Sequence, residues 1–432
     1  MKGKYIHFVR LLVAGAVLVL CGLAFYRAFY PVAIFDAQFM AAVQSALIGS
    51  TAALVIMIAL ILITLLLGRV YCSTLCPLGL YQELLMMLFM PSYKKRKNSG
   101  HVQKHWSAAY VIMVLLWGSL IGGTAIVMRY FEPYSVAGNA LSGAAYGIGF
   151  AIVLAVLVFF KKRFFCTHLC PVGAVLGLIS RFSLFKIRID ADKCKMCSLC
   201  ARVCPASCID FKNHEVDNEM CLKCFKCLGH CQHGALRYGL KGYEEPPFDA
   251  KRRDLVKGGI LLVMFGTALG WGADLCLKVG AKFKKILLPA GAGHAADFAN
   301  CCLNCNLCVK NCPAKIIKPA TQEIPFVHLD YSHGYCRYDC HRCSEVCPSG
   351  AITKISLAEK QKTKLATAMI DENKCIKCGI CAKECPVKAI DKEPMAYPLV
   401  RFDQCIGCGK CGNMCPVKAI AFEPVDKQVK LN

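Results

Sequence analysis

Uninterrupted apolar runs mark the first part of the chain at about residues 9–30, 46–67, 107–128 and 144–160. Each is nearly free of charge and about as long as a helix needs to be to cross a bilayer, so the pattern predicts a membrane bundle of four helices. Their polar flanks set an orientation. Lys2, Lys4 and Arg10 precede or open the first run, Lys94, Lys95, Arg96, Lys97 and Lys104 lie between the second and third, and Lys161, Lys162 and Arg163 follow the fourth. The other two connections carry Asp36 alone, and Arg129 with Glu132. By the positive-inside rule both ends of the four-helix unit face the cytoplasm. Buried helices of a soluble protein would not carry such regular flanking charge.

The second and fourth runs end in matching text, GRVYCSTLCPLG from Gly68 and KRFFCTHLCPVG from Lys162. The membrane unit therefore reads as a duplicated helical hairpin. Cysteines at i and i+4 share one helix face, which allows a thiolate site from Cys72, Cys76, Cys166 and Cys170 with His168 as a spare ligand. The structural alternative is that each Cys-Pro simply turns the chain and packs.

Composition changes the picture beyond residue 190. The 432 residues include 32 cysteines, and a mean hydropathy of +0.45 excludes a small secreted disulfide scaffold and a chain disordered over most of its length. The spacing C-x2-C-x2-C-x3-C occurs at Cys194, Cys197, Cys200 and Cys204, then at Cys221, Cys224, Cys227 and Cys231. It returns at Cys302, Cys305, Cys308 and Cys312, at Cys375, Cys378, Cys381 and Cys385, and at Cys405, Cys408, Cys411 and Cys415. A sixth copy, Cys336, Cys340, Cys343 and Cys347, has one extra residue in its first gap.

This is the bacterial ferredoxin spacing, in which three close thiolates grip one 4Fe-4S cluster and the fourth reaches its neighbour. Zinc accounts for an isolated Cys-x2-Cys pair, but not for a third and fourth cysteine in every copy. The first cysteines of successive pairs of runs stand 27, 34 and 30 residues apart, which predicts three two-cluster modules and six clusters. Crossed ligation groups Cys194, Cys197 and Cys200 with Cys231, and Cys221, Cys224 and Cys227 with Cys204; the other modules follow suit. Of the remaining cysteines, Cys21 and Cys208 read as packing residues, and Cys301 competes with Cys302 as a first ligand. Cys336 to His341 superficially resembles a haem attachment site, but no Cys-x2-Cys-His occurs.

The expected architecture is multidomain. An α-helical membrane domain spans 1–182, a first α+β ferredoxin module 183–245, a joint 246–290, a second module 291–360 and a third 361–432. The joint contains Arg252-Arg253-Asp254-Leu255-Val256-Lys257 and then an apolar stretch to about Ala273, a candidate fifth helix that resembles a twin-arginine export signal. On that reading modules two and three lie outside the cytoplasmic membrane, although Lys278, Lys282, Lys284 and Lys285 oppose translocation. An interfacial helix, leaving every cluster cytoplasmic, is the alternative. No dinucleotide fingerprint, phosphate loop or catalytic triad spacing is present, so neither flavin nor nicotinamide is expected. The formal charge of +24 would suggest nucleic acid. A 4Fe-4S cluster with four thiolates carries about −2, so six would lower that charge by about twelve and remove the case for nucleic acid.

The two Cys-x3-Cys-Pro motifs, the four apolar runs and the first module resemble the NapH-type membrane ferredoxins, a group related to NosR and CcoG-like proteins, over about residues 1–240. The remainder resembles a NapG-type exported ferredoxin, so the chain looks like a fusion of the two. The resemblance implies a multi-pass protein of a bacterial cytoplasmic membrane that takes electrons from the quinol pool and relays them to a partner such as a periplasmic reductase or cytochrome. CcoG-like relatives imply an alternative, a metal-handling or reductive assembly factor for a respiratory complex.

Overall fold

The computed structural model describes residues 2–25, 38–47, 50–89, 108–121, 128–240, 264–271, 273, 286–321, 324–392, 396–425 and 427–431. These residues form two compact units, one drawn chiefly from 1–271 and the other from 272–432. The twin-arginine segment and Lys94 to Lys104 lie outside the described residues.

Unit one begins with helices α1 (Lys2–Phe25), α2 (Phe39–Leu47) and α3 (Thr51–Leu67). The Ser50 hydroxyl accepts from the Ala53 amide and caps α3, so the second apolar run is divided between α2 and α3. On α3 the small or polar Ala53 and Thr64 are buried with Leu60, while Val55, Ile58 and Leu62 are exposed. That is an apolar face turned outward, the reverse of a water-facing helix. After α4 (Tyr71–Thr74), α5 (Pro77–Leu88), α6 (Ala108–Ile121) and α7 (Pro133–Ser142), helix α8 (Ala145–Lys161) repeats the pattern, burying Leu154 and Val158 and exposing Ile152 and Phe160.

Among the described residues, the segment Tyr5–Leu23 is long and apolar enough to cross a membrane alone. Helix α7 with Ala145–Phe160 passes the same test as a pair bent by 114°, whereas Thr51–Leu67 and Tyr110–Ile121 are shorter. One such span is therefore clear among the described residues. Gly68 and Lys162 both take positive φ, 82° and 55°, and halt α3 and α8 at matching places.

Gly68 is doubly constrained. A side chain there would need a left-handed backbone, and its Cβ would stand 2.3 Å from Lys223 Cε. Gly68→Ala is expected to destabilise unit one by about 1–3 kcal/mol, read as a lower thermal midpoint in detergent. An unchanged midpoint would contradict the strain argument.

Two short helices, α9 (Phe164–His168) and α10 (Pro171–Arg181), complete the second hairpin. The first module follows as β1 (Phe185–Ile189), α11 (Leu199–Val203), β2 (Ile209–Asp210), β3 (Glu215–Val216), α12 (Lys226–His230) and β4 (Leu236–Leu240). Strands β1 and β4 pair antiparallel from Phe185↔Leu240 to Ile189↔Leu236, and β2 pairs with β3. The module is fastened to the hairpin ends. The Leu184 amide donates to Leu65 O at 2.9 Å, Tyr238 Oη to Leu67 O at 2.9 Å, and Lys162 Nζ to Arg202 O and Cys204 O, both at 2.9 Å.

Unit two contains α13 (Ala295–Cys301), α14 (Leu307–Asn311), β5 (Ile317–Lys318), β6 (His328–Leu329), α15 (Arg342–Glu345) and α16 (Leu357–Lys362). It continues with β7 (Ala366–Ile370), α17 (Ile380–Lys383), β8 (Ile390–Asp391), β9 (Leu399–Val400), α18 (Lys410–Met414) and β10 (Ile420–Pro424). The last six elements reproduce the order of the first module, with β7 paired to β10 and β8 to β9. Around residues 302–347 the described residues hold the inner pair β5·β6 alone, with α13 before it and α16 after it. The two modules of this unit meet directly: the Cys336 amide donates to Cys408 O at 2.8 Å, and Tyr331 Oη to Gly407 O at 2.9 Å.

Candidate iron-sulfur centres and a buried thiol quartet

Five cysteine runs fold alike because the same backbone positions turn left-handed. The residues two and four places after the first cysteine have positive φ in each: Met196 and Ser198, Lys223 and Phe225, Asn304 and Asn306, Lys377 and Gly379, Gly407 and Gly409. Seven of these ten are not glycine, and five are neither glycine nor asparagine; each left-handed position held by such an ordinary side chain costs about 1 kcal/mol or more. Alternation of this kind turns successive amides inward as an anion-binding concavity of the type that surrounds iron-sulfur clusters. The fourth cysteines are served similarly, with Cys347, Cys385 and Cys415 Sγ accepting from the Ile352, Ala389 and Ala419 amides, each at 3.3 Å. The sixth run, from Cys336, lacks the paired left-handed residues, as its longer first gap requires.

The thiols are grouped across runs. Cys221, Cys224 and Cys227 line one small cavity together with Cys204, against a wall that includes Ile187, Ile209 and Leu222. Cys302, Cys305 and Cys308 line another with Cys347, against Phe298, Val327 and Val346. Elsewhere the grouping is visible through charge. Burial and the neighbouring Cys197, Cys194 and Cys231 push the Cys200 thiol up to about 11. Burial, then Cys336, Cys312 and Cys340, push up Cys343, and burial with Cys408, Cys405 and Cys385 does the same to Cys411. At Cys381 burial and the nearby Cys378 and Cys375 act together. Buried sulfurs that resist ionisation as free thiols suit a positively charged iron-sulfide core, which stabilises the thiolate form.

The four membrane-hairpin cysteines are all buried and meet through a reciprocal exchange. Arg69, in the first hairpin, donates to Cys166 O at 3.0 Å in the second. Its counterpart Arg163 donates back to Cys72 O at 3.4 Å and Gly79 O at 2.7 Å. The members of each pair do not share one continuous helix, as their spacing suggests. Cys72 lies in α4 and Cys166 in α9, whereas Cys76 and Cys170 are extended residues at the starts of α5 and α10, each followed by proline. The proline stops one helix and begins the next. Burial, reinforced by the neighbouring thiols, holds Cys76 and Cys170 well above the ordinary range, while the Gly173 amide donates to Cys170 Sγ at 3.3 Å and Gln82 Nε2 to Cys166 Sγ at 3.2 Å. His168 is half-buried and stacks on Phe164. Among the described residues no three His, Cys, Asp or Glu side chains converge tightly enough for a single ion.

Glu83 organises the seam between this quartet and the first module. It receives Arg10 at 2.7 Å, Arg163 at 2.9 Å and Lys226 at 3.1 Å. Burial alone would raise its carboxyl, but the Arg10 hydrogen bond and the charges of Arg163 and Lys226 outweigh burial and hold it far below the usual range. Arg69 reaches the Glu219 carbonyl of the module at 3.1 Å, and His7 Nδ1 lies 2.9 Å from Cys224 O.

Sequence spacing missed several neighbours of the thiols in the cysteine runs. Cys208 lines the first cavity, and its Sγ lies 3.5 Å from that of Cys204. It hydrogen-bonds the thiols on either side, lowering Cys204 and Cys221 while its own proton is held. Buried Lys360 donates to Arg337 O in the enlarged gap of the sixth run and to the Cys336 thiol; the capping box of Ser356 and Glu359 was the available signal for its helix. Cys302 lines its cavity, whereas Cys301 ends α13.

Paired left-handed turns, cysteine-walled cavities and antiparallel strand pairs define a ferredoxin-type iron-sulfur electron-transfer protein. A 4Fe-4S binding domain matches residues 50–96 and 143–190, covering both hairpins, and 4Fe-4S dicluster domains match 368–422 and 335–389. The last match joins the fourth and fifth runs in chain order, while the cavity joins the Cys302 run to Cys347; spatial grouping decides which thiols are neighbours. An uncharacterised protein of Methanocaldococcus jannaschii is 30% identical over 42% of this chain and 76% of its own length. The methylamine utilization ferredoxin-type protein MauN of Paracoccus denitrificans is 34% identical over 32% and 48%, and the ferredoxin-type protein NapH of Escherichia coli 29% identical over 38% and 59%. The chain thus spans about half to three quarters of these relatives. It belongs to the NapH-type family of ferredoxin-type electron-transport proteins.

Proposed function

We propose that the chain is a multi-pass membrane protein that carries electrons from quinol through six 4Fe-4S clusters to a partner reductase or cytochrome. The proposed ligand sets are Cys194, Cys197, Cys200 and Cys231; Cys221, Cys224, Cys227 and Cys204; Cys302, Cys305, Cys308 and Cys347; Cys336, Cys340, Cys343 and Cys312; Cys375, Cys378, Cys381 and Cys415; and Cys405, Cys408, Cys411 and Cys385. The observation that carries this reading is the assembly of thiols from two runs around one cavity, twice over. When bound, the clusters supply one-electron redox couples.

The protein's own groups have definable tasks in this scheme. Inward-turned amides and the Cys208 thiol donate to sulfur, Lys223 and Lys360 place positive charge beside it, and apolar walls exclude water, all of which tune potential. The outward apolar faces of α3 and α8 support insertion in lipid. The basic flanks favour a cytoplasmic first module, and the Arg252-Arg253 signal an extracytoplasmic location for the second and third.

Two measurements on the full-length protein test this function. A menaquinol analogue added to proteoliposomes should bleach the iron-sulfur absorbance, and a topology reporter fused after Asn432 should be active on the extracytoplasmic side. Clusters that stay oxidised with quinol would remove the donor assignment, and a cytoplasmic reporter would remove transfer across the membrane.

A further inference from the structure

The third module has two ends with different surroundings. Strands β7 and β10 pair in register from Ala366↔Pro424 to Ile370↔Ile420, a ladder about 13 Å long. At the Ala366 end the Leu365 amide donates to Ile406 O at 2.9 Å, and a Cβ at Gly407 would stand 2.2 Å from Ala366 O. The Cys405 run is therefore held at this end. The second module meets it here, through the Cys336 amide on Cys408 O and Tyr331 Oη on Gly407 O. At the Ile370 end the Asp371 amide donates to Ala419 O at 2.8 Å, which places the Cys375 run away from that junction.

Burial follows the same division. Cys405, Cys408 and Cys411 are buried, whereas Cys375 and Cys415 are half-buried and Cys378 is exposed. Among the cysteines of the six runs, Cys197 and Cys378 alone are exposed. Cys197 belongs to the module fastened to the hairpins, where the proposed relay receives its electrons. Cys378 belongs to the module farthest from them in chain order. Transfer to another protein requires a cluster near the surface, because intervening protein slows electron tunnelling.

The surface around Cys378 is apolar with a basic rim. Ile376 is 58% exposed, and Ile380 and Val417 38% each; all three lie within two residues of a ligand proposed for this cluster. Each has a lysine beside it. Lys377 follows Ile376, Lys418 follows Val417, and Lys383 stands one helical turn after Ile380. Lys392 Nζ lies against Gly379, 2.7 Å from where a Cβ would be, and Lys377 Nζ stands 4.2 Å from the centre of the Tyr397 ring. Among the described residues no carboxylate pairs with these four lysines; Asp371, Glu384 and Asp391 are engaged by Lys374, Lys410 and Arg401 instead. Glu372 is the exposed acid of the run. An oxidised cluster adds about −2, so the four lysines keep the face positive. Uncommitted cations around an apolar centre suit brief association with a protein of opposite charge.

We propose that the cluster at Cys375, Cys378, Cys381 and Cys415 is the delivery point of the relay, and that the face around Cys378 docks an acidic one-electron carrier protein. The inference rests on the six-cluster relay proposed above. In the step itself the reduced cluster loses one electron and the partner's oxidised centre gains it, with no bond made or broken.

The test uses full-length protein in nanodiscs of zwitterionic lipid, reduced anaerobically with dithionite and freed of excess reductant. It is mixed with ferric cytochrome b5 as an acidic probe or ferric cytochrome c as a basic one, and haem absorbance reads the rate. The cytochrome b5 rate should fall about tenfold between about 20 mM and 0.5 M salt, while the cytochrome c rate does not fall. At low salt K383E/K418E should slow cytochrome b5 reduction about tenfold with iron content unchanged, and should match wild type at high salt. The control K362E/K427E makes the same change in net charge beyond the Ala366 end of the ladder and should cost less than about twofold. Cys378→Ala should lose about four irons and stop transfer to cytochrome b5 while the other clusters remain reducible. Equal losses in the two lysine pairs, or an undiminished rate after Cys378→Ala, would overturn the proposal. So would an effect of K383E/K418E that appears only with anionic lipid, which would make this face a membrane contact. Failure of the relay reading looks different: wild type would hold fewer than about 24 irons or stay unbleached by quinol, whatever the lysine variants do.

Discussion

Replacing Cys204 and Cys221 together by alanine should remove no more iron than replacing either one alone. These thiols belong to different runs, 17 residues apart in sequence, yet line one cavity with Cys224 and Cys227. If they share a cluster, the first substitution already abolishes it, and the second has nothing left to remove. Each single variant and the double should lose about four irons per chain. The control pair Cys194→Ala with Cys204→Ala touches two clusters and should lose about eight. Iron and sulfide counts with EPR of the reduced protein read the result. Additive loss for Cys204 and Cys221, with no additivity for Cys194 and Cys204, would mean that each run binds its own cluster.

Glu83→Gln should destabilise unit one by about 3–5 kcal/mol, because Arg10, Arg163 and Lys226 would stay buried without their shared carboxylate. The pH dependence has a definite sign. The folded pKa of Glu83 is depressed, so its contribution is fully present above the unfolded value of about 4.3 and is lost as pH falls toward the lower folded value. The difference in thermal midpoint between wild type and variant should therefore be constant from pH 8 to 5 and narrow only under more acidic conditions. A gap that is small at pH 7, or that grows on acidification, would show that the three cations are solvated or paired elsewhere.

The cysteine runs were legible in the sequence because their thiols are consecutive and fixed in spacing. Short loops with fixed cysteine intervals have few ways to present sulfur, and the recurrence of the spacing narrowed the chemistry to iron-sulfur. The same intervals indicated the grouping of Cys204 with the Cys221 run that the cavity displays. Periodicity was less reliable for the hairpin cysteines. The i,i+4 spacing of Cys72 and Cys76 suggested a single helical face, but Pro77 ends that helix, and the thiols are brought together instead by Arg69 and Arg163 crossing between hairpins. Likewise, 46–67 looked like one span until the Ser50 cap divided it.

Sequence by itself determined the number and spacing of the cysteine runs, the duplication of the hairpins and the apolar character of the first part of the chain, since these are properties of neighbours along the backbone. Tertiary structure alone decided that Glu83 gathers three cations, that Cys208 stands between the Cys204 and Cys221 thiols, that Lys360 covers the enlarged gap at Cys336, and that Arg69 and Arg163 cross between the two cysteine hairpins. Those partners lie tens of residues apart, and a buried charge acquires its meaning only from what folding places beside it once water has been removed.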